Sequence, residues 1–193
     1  MNEHVVVLIV GKTASGKSSL VQKVCERNNW TYLKSYTTRP QRNANDIDHV
    51  FVDEEFYWQE KEAGNIAAEA NIAGNYYFST IDQVYKADFY TINPDAVERL
   101  KALNLPGIKF VTVYIKASDQ ERERRAISRG DDKGKFKKRC FSEAQQFRGF
   151  VRNEEWDYAI DNFDFAKAYS MLKHIANIEN VWKNHEEGNE DLL

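Results

Sequence analysis

The architecture is set by residues 5–18, which read Val5-Val-Val-Leu-Ile-Val-Gly-Lys-Thr-Ala-Ser-Gly-Lys-Ser18. Their first six residues form a continuous aliphatic run, which is typical of a strand buried on both faces of a parallel sheet. The run stops at Gly11, and residues 17–28 then repeat apolar side chains at helical spacing. The chain is therefore expected to open with a strand, a glycine loop and a helix.

The glycine loop fits the pattern Gly-x-x-x-x-Gly-Lys-Ser from Gly11 to Ser18, here called the phosphate loop. Its glycines allow successive backbone N–H groups to point at phosphate oxygens, and the following helix adds the positive end of its dipole. Lys17 can reach the β- and γ-phosphates, and the Ser18 hydroxyl is placed to ligate Mg²⁺. The pattern predicts a nucleoside triphosphate site without naming the reaction. Its candidate residues are Gly11, Ala14, Ser15, Gly16, Lys17, Ser18 and Ser19.

Beyond the first helix, predicted strands alternate with predicted helices, which favours an α/β fold with a parallel sheet and right-handed crossovers. Residues 37–48 read as a polar loop, and residues 66–78 as part of a small β-rich lobe. We expect strands over residues 30–36, 88–92, 109–115 and 156–160, and helices over residues 53–62, 81–86, 94–103, 119–129, 135–152 and 163–178.

The composition excludes several classes of protein. The chain has 193 residues, 42% of them hydrophobic, which is enough for one domain with its own core. Its 27 Lys and Arg residues against 30 Asp and Glu residues give a net charge of −3, so a general nucleic-acid binder is not expected. The longest strongly apolar run, residues 5–10, is too short to cross a membrane. Only two cysteines occur, without metal-type spacing, so a reducing, cytoplasmic location is expected.

A second anion pocket is indicated by Ser35-Tyr-Thr-Thr-Arg-Pro-Gln-Arg42, which carries two guanidinium groups and several hydroxyls. Arginine can hold a phosphate through two parallel hydrogen bonds. A loop after the second strand also lies near the carboxyl edge of the sheet, where ligands of such folds bind. The alternative interpretation is a solvated basic loop.

Five strings occur in an order that resembles the guanylate kinase family: GKTASGKSSL, SYTTRPQR, DHVFVDEEF, GNYYFST and SRGDD. The resemblance covers about residues 4–178. It implies transfer of the γ-phosphoryl group of ATP to GMP or dGMP with Mg²⁺, by a monomer or homodimer acting on small nucleotides. It also implies one domain in three parts: a parallel-sheet core (about 1–34, 80–125 and 155–180), an acceptor lobe (about 35–79) and a helical lid (about 126–152).

The resemblance also implies residue roles. Arginines of the lid and its hinge are expected at the transferring group, and Asn162 beside the donor adenine. Together with the phosphate-loop Lys17, the implied catalytic residues are Arg39, Arg125, Arg129 and Arg139. The implied acceptor-binding residues are Ser35, Arg39, Arg42, His49, Glu69, Tyr77, Ser79 and Asn93.

Three positions depart from the family pattern. His49 stands where the family has tyrosine, and Thr91-Ile92-Asn93 stands where it has Asp-Ile-Asp. The family's base-reading glutamate aligns with Ala68, while Glu69 follows one residue later. Because neighbouring strand residues face opposite sides, Glu69 can replace that glutamate only if a local bulge re-aims it.

Two other interpretations of the sequence stay open. The same chemistry could act on another nucleotide or on ribose 1,5-bisphosphate, since Asp48-His49 and Asn93 resemble the phosphokinases of that sugar. A non-catalytic guanylate kinase-like binding module is the second. An alternative also stays open for the lid arginines. Arg125 and Arg129 share one face of a helix rich in Glu–Arg pairs, which is also the pattern of a solvated helix face.

Overall fold

The computed structural model describes residues 3–41, 46, 49–72 and 74–185, and it contains two sheets. One is a five-stranded parallel sheet of order β2-β7-β1-β8-β9, and the other is four-stranded, of order β4-β3-β6-β5. The strands are β1 His4–Val10, β2 Tyr32–Leu33, β3 Tyr36–Thr37, β4 Val50–Phe51, β5 Ile66–Ile72, β6 Asn75–Thr80, β7 Phe89–Thr91, β8 Ile108–Lys116 and β9 Tyr158–Asp161.

The helices follow the predicted order, with ends within two residues of prediction. They are α1 Lys17–Asn28, α2 Glu54–Glu62, α3 Ile81–Tyr85, α4 Pro94–Ala102, α5 Asp119–Ser128, α6 Lys133–Arg152 and α7 Phe165–Ile178. A short 3-10 helix at Val181–His185 was not predicted. The predicted α/β class with a parallel sheet is confirmed.

Strand β1 lies at the centre of the parallel sheet and separates two hydrophobic clusters. Val5, Val7 and Ile9 pack on the side of α1 and α7, whereas Val6, Leu8 and Val10 pack on the side of α4 and α6. Both sets are buried, which explains why the run is continuously apolar rather than alternating. Burying this strand on both faces fixes the end of β1, and with it the start of the phosphate loop.

The predicted strand over residues 30–36 is two strands in different sheets. β2 pairs in parallel with β7 of the main sheet, and β3 pairs with β4 and β6 of the second sheet. The apolar pattern could not reveal this, because Lys34 and Ser35 between them show no turn signal. The consequence is functional: Ser35 sits where the chain passes from one sheet to the other, at the carboxyl edge of β2.

Candidate active site

The phosphate loop leaves the carboxyl end of β1 and enters α1 through a left-handed glycine. Gly16 is the residue before α1 and has a φ of 88°. A Cβ atom at Gly16 would lie 2.4 Å from Nδ2 of Asn162, and one at Gly11 would lie 2.6 Å from Oγ of Ser15. Both contacts are shorter than a side chain can make, so the folded loop requires glycine at both ends.

Two side chains from the other end of the chain brace the loop. Asn162 Nδ2 and Arg125 Nη1 both donate to the carbonyl oxygen of Ser15, at 2.8 and 3.0 Å. Arg125 Nη2 also donates to the carbonyl oxygen of Asn162 at 2.6 Å, while its Nε bonds Glu121. Arg125 is predicted to contact the transferring group, and in this structure its guanidinium is held by the carbonyl oxygens of Ser15 and Asn162. Its arrangement suits positioning of the loop rather than swinging over a substrate.

Lys17 begins α1 and lines a cleft of about 440 Å³, which we call the main cleft. Burial lowers the pKa of its ammonium, the carboxylate of Glu143 acts in the opposite direction, and Arg129, Arg122 and Arg139 lower it further. These three arginines therefore lie within electrostatic range of Lys17. Cations gathered around one lysine are the arrangement that a polyphosphate would neutralise.

The lid arginines differ in their surroundings. Arg129 is half-exposed and paired with Asp131, whose two oxygens accept from Nε at 3.1 Å and Nη2 at 2.6 Å. Arg139 is exposed on α6. Neither lines the main cleft, although both act on the pKa of Lys17, so their predicted contact with the transferring group stays a prediction.

A carboxylate from α6 lies on the phosphate loop, and sequence reasoning missed it. The backbone N–H of Thr13 donates to both oxygens of Glu143, at 2.9 and 3.0 Å, and the Thr13 hydroxyl donates to the same carboxylate. Buried Arg122 backs the contact, with Nη1 3.7 Å from Glu143 and 3.1 Å from the carbonyl oxygen of Thr13. The helical periodicity does indicate an inward position for Glu143, since this residue falls on the face of α6 that buries Phe136 and Phe147.

The opposite wall of the cleft collects predicted acceptor-phosphate residues. Ser35 Oγ and His49 Nδ1 are 2.9 Å apart, and the His49 ring meets the Tyr77 ring edge-on with centroids 5.3 Å apart. These three side chains and the phosphate-loop residues Gly11, Thr13 and Lys17 line one cavity of about 440 Å³. The structure therefore brings the two predicted anion sites to one cleft.

Arg39 stands behind this wall rather than lining it. Its Nε donates to the Tyr77 hydroxyl at 3.1 Å, and Nη1 and Nη2 donate to the two oxygens of Asp46 at 2.7 and 3.1 Å. The guanidinium fork thus already grips one carboxylate, in the two-pronged geometry it would use on a phosphate. Arg42, the second predicted arginine, lies outside the described residues.

Glu69, the predicted substitute for the base-reading carboxylate, lines the cleft. The β5–β6 ladder is irregular between Ile66 and Ala68, and this irregularity leaves Ala68 opposite Ser79 and Glu69 opposite Phe78. The Glu69 carboxylate accepts from Tyr57 at 2.7 Å and from Lys61 at 3.0 Å on the α2 side. Burial raises the pKa of Glu69, but these two donors outweigh it and lower the pKa. A bulge is therefore present beside Glu69, which lines the cleft while its carboxylate is paired on the α2 side, and its contact with the acceptor base stays a prediction.

The remaining cleft wall carries hydroxyls, methyl groups and the amides of Asn93 and Gln146. Tyr90 lines this wall and is nearly fully buried, and burial raises the pKa of its phenol to about 12, opposed by the hydroxyl of the buried Ser79, which does not line the cleft. Asn93 reaches the cleft, but its Oδ1 accepts from Ala96 N at 2.9 Å as the cap of α4. The cleft wall also includes Ala68, Glu69, Ala70, Ile72 and Ala96.

The donor set fits a magnesium ion held mainly by phosphate oxygens and water. Ser18 offers an exposed hydroxyl at the first turn of α1, next to Lys17. Among the described residues, no cluster of three or more His, Cys, Asp or Glu side chains could hold a metal alone. Mg²⁺ is commonly bound through few protein ligands together with substrate phosphates, so one hydroxyl beside a phosphate site is chemically suitable.

Within the described ranges, no helix combines the length and apolarity that a membrane crossing needs.

Comparisons of this chain with protein families, curated proteins and solved structures all find guanylate kinases. The family model for guanylate kinase matches residues 3–179. The chain is 28% identical over 175 residues to a guanylate kinase of Chlamydia felis, covering 86% of this chain and 84% of that protein. It is 27% identical over 192 residues to a guanylate kinase of Photobacterium profundum, covering 94% and 90%. The crystal structure of guanylate kinase from Anaplasma phagocytophilum superposes with a TM-score of 0.62 at 21% identity, covering 93% and 87%. The chain belongs to the guanylate kinase family.

Proposed function

We propose that the protein transfers the γ-phosphoryl group of ATP to GMP or dGMP, giving ADP and the nucleoside diphosphate. One observation carries the proposal: Lys17 and Thr13 of the phosphate loop share a single cleft with Ser35, His49 and Tyr77. A donor phosphate on one wall and an acceptor phosphate on the other would meet inside that cleft. Direct transfer between them needs alignment and neutralised charge rather than a covalent enzyme intermediate.

The chain's own groups supply this alignment. The phosphate-loop N–H groups and Lys17 would hold the β- and γ-phosphates of ATP, and Arg125 and Asn162 keep the loop in shape. Mg²⁺, which Ser18 would ligate, neutralises charge on the same oxygens when it is bound. Arg39 would exchange Asp46 for the acceptor phosphate, with the Tyr77 hydroxyl beside it.

The acceptor base fits the remaining wall of the cleft. Tyr90 presents a phenol hydroxyl there, whose pKa is raised by burial to about 12, and Asn93 lies just after β7. Hydroxyl and amide groups can each accept a hydrogen bond from the N–H groups of guanine. Ser79 and Asn93 therefore stay in the proposed acceptor set, and so does Glu69, which lines the same cleft.

The proposal includes the setting of the enzyme. We infer a core, an acceptor lobe over about residues 35–79 and a lid over about residues 126–152. Small nucleotides would be its partners, without nucleic acid or membrane, and the protein would act as a monomer or homodimer in the cytoplasm. A reducing compartment suits Cys25 and Cys140, which are both free thiols.

A coupled assay of ADP release tests the function. ATP would be supplied with GMP, dGMP, the other nucleoside monophosphates and ribose 1,5-bisphosphate in turn. The proposal requires the highest kcat/KM with GMP or dGMP, and Lys17→Ala should abolish the signal. Activity with ribose 1,5-bisphosphate and none with GMP would overturn the acceptor assignment. Calorimetry that detects no ATP binding would favour a non-catalytic binding module.

A further inference from the structure

The contact between Glu143 and Thr13 has the form of an anion bound by the phosphate loop. A backbone N–H that donates to two carboxylate oxygens at 2.9 and 3.0 Å, supplemented by a hydroxyl, is a charge-assisted arrangement like that of a bound phosphate oxygen pair. Glu143 is only 16% exposed, and buried Arg122 lies 3.7 Å from it. A well-supported carboxylate therefore uses donors of the loop.

This carboxylate stands on the side of the loop where the transferring phosphate must lie. Thr13, Lys17 and Glu143 line the same cleft as Ser35 and Tyr77 of the acceptor wall. The other side of the loop, at Gly16, faces Asn162 and Arg125 instead. The phosphoryl group that passes between nucleotides has to face the acceptor, so the position next to Thr13 belongs to the γ-phosphate and not to the α-phosphate.

A γ-phosphate and the Glu143 carboxylate cannot share this position. Both are anions, and both would accept from the single N–H of Thr13, which has one hydrogen to give. In a partly buried site, two negative charges within hydrogen-bond distance of the same N–H group repel each other strongly. ADP carries no γ-phosphate and leaves the position to Glu143.

We propose that Glu143 is a specificity-determining residue for the donor nucleotide, which occupies the γ-phosphate position of the loop and must be displaced by ATP but not by ADP. The proposal rests on the proposed function, because it assumes that the loop binds the donor. Glu143 thereby lowers the affinity for ATP relative to ADP. It also ties α6 to the loop until a triphosphate arrives, so the departure of α6 is linked to binding of the correct donor.

Calorimetric titration of ATP and ADP into the wild-type protein and Glu143→Gln tests this inference. Glutamine keeps the shape of the side chain and removes its charge. We expect Glu143→Gln to bind ATP about tenfold more tightly, because the γ-phosphate no longer has to displace a charged carboxylate, and ADP with less than about a twofold change. Unchanged or weaker ATP binding would overturn the proposal, and so would an equal gain for both nucleotides.

Glu123→Gln is the matched control. Glu123 of α5 pairs with Lys133 of α6 at 3.0 Å and does not line the cleft, so this substitution loosens another tie of α6 without freeing the loop. Its ATP-to-ADP affinity ratio should equal that of the wild type. If Glu123→Gln raises the ratio as much as Glu143→Gln does, general loosening of α6 explains the effect and the specificity role is wrong.

Hydrogen exchange of the unmodified protein gives a second test that needs no variant. A non-hydrolysable ATP analogue should increase amide exchange in the part of α6 around Glu143, and ADP should not. Equal exchange with the two nucleotides would contradict the displacement. If both nucleotides bind but Glu143 does not distinguish them, only the inference about Glu143 fails. If neither binds the wild-type protein, the proposed function fails as well.

Discussion

Nε of Arg39 donates to the hydroxyl of Tyr77 at 3.1 Å, and through Tyr77 the guanidinium reaches the wall of the cleft that faces Lys17. The other contacts of Arg39, with Asp46, the carbonyl oxygen of Pro40 and the ring of Phe51, do not connect it to this wall. The Tyr77 hydroxyl gives the arginine a fixed position beside a cavity that the phosphate loop also lines. The two predicted anion sites thus face each other across one cleft although they come from different sheets.

Arg39→Lys should reduce turnover with GMP by roughly 10²-fold, in line with the loss of a preorganised donor to developing charge. Lysine keeps the positive charge but cannot hold two oxygens in a fork. ATP affinity should change little, because the phosphate loop lies across the cleft. Steady-state kinetics with ATP and GMP each varied in turn checks this. Arg27→Lys, at an exposed position of α1, is the control. Turnover near the wild-type value would remove Arg39 from the catalytic set.

Gly16→Ala should abolish nucleotide binding. The new Cβ atom would lie 2.4 Å from Nδ2 of Asn162, in addition to the strain of a φ of 88°. Gly107→Ala is the control for strain alone, because Gly107 has a φ of 73° and nothing within 4 Å of its Cβ position. That control should lose about 1–2 kcal/mol of unfolding free energy and keep full ATP affinity. Equal ATP affinity in the two variants would show that the Asn162 contact does not shape the loop.

Cys25 should resist alkylation in the folded protein. Burial, with a contribution from Asp88, raises the pKa of its thiol from 9.0 to about 12. The thiolate is therefore scarce in the folded state at pH 8, while Cys140 is partly exposed. Above about pH 9 the unfolded chain deprotonates first, so this group lowers stability as pH rises. Mass spectrometry after iodoacetamide treatment should find Cys140 modified first, and faster labelling of Cys25 would contradict this.

Acid should loosen the α5 support of the loop. Hydrogen bonds from Arg124 and Arg125 lower the pKa of Glu121 from 4.5 to about 2. The ionised carboxylate therefore stabilises the fold fully above about pH 4.5, and this contribution is lost as pH falls towards 2. Between pH 4.5 and pH 2, the melting temperature of the wild type should fall more steeply with decreasing pH than that of Glu121→Gln. Parallel pH profiles would mean that the pair contributes nothing measurable.

The sequence predicted the central strand, the phosphate loop and the order of the helices, because these depend on local patterns. The continuous run at 5–10 could only be buried on both sides, and Gly11 and Gly16 have contacts that no other residue satisfies. The division of residues 30–36 between two sheets was not predictable, since it depends on partners more than fifty residues away in β7 and forty away in β6.

The electrostatic details of the site were the least predictable part. Asp46 and Glu143 both place a carboxylate on a predicted anion-binding group, and neither belongs to the motif that named that group. Glu143 carried a usable signal as a charged residue on the buried face of α6, whereas Asp46 carried none. The orientation of Glu69 depends on where a β-bulge falls in the β5–β6 ladder, which single-strand periodicity does not specify.

Binding of a bisubstrate compound, adenosine and guanosine joined through five phosphates, tests the shared cleft most directly. Calorimetry should show one molecule bound per chain, displaced by either ATP or GMP, with affinity lost in both Lys17→Ala and Arg39→Lys. Two molecules bound per chain, or displacement by only one of the nucleotides, would mean that the phosphate loop and the Ser35–His49–Tyr77 wall do not serve one reaction.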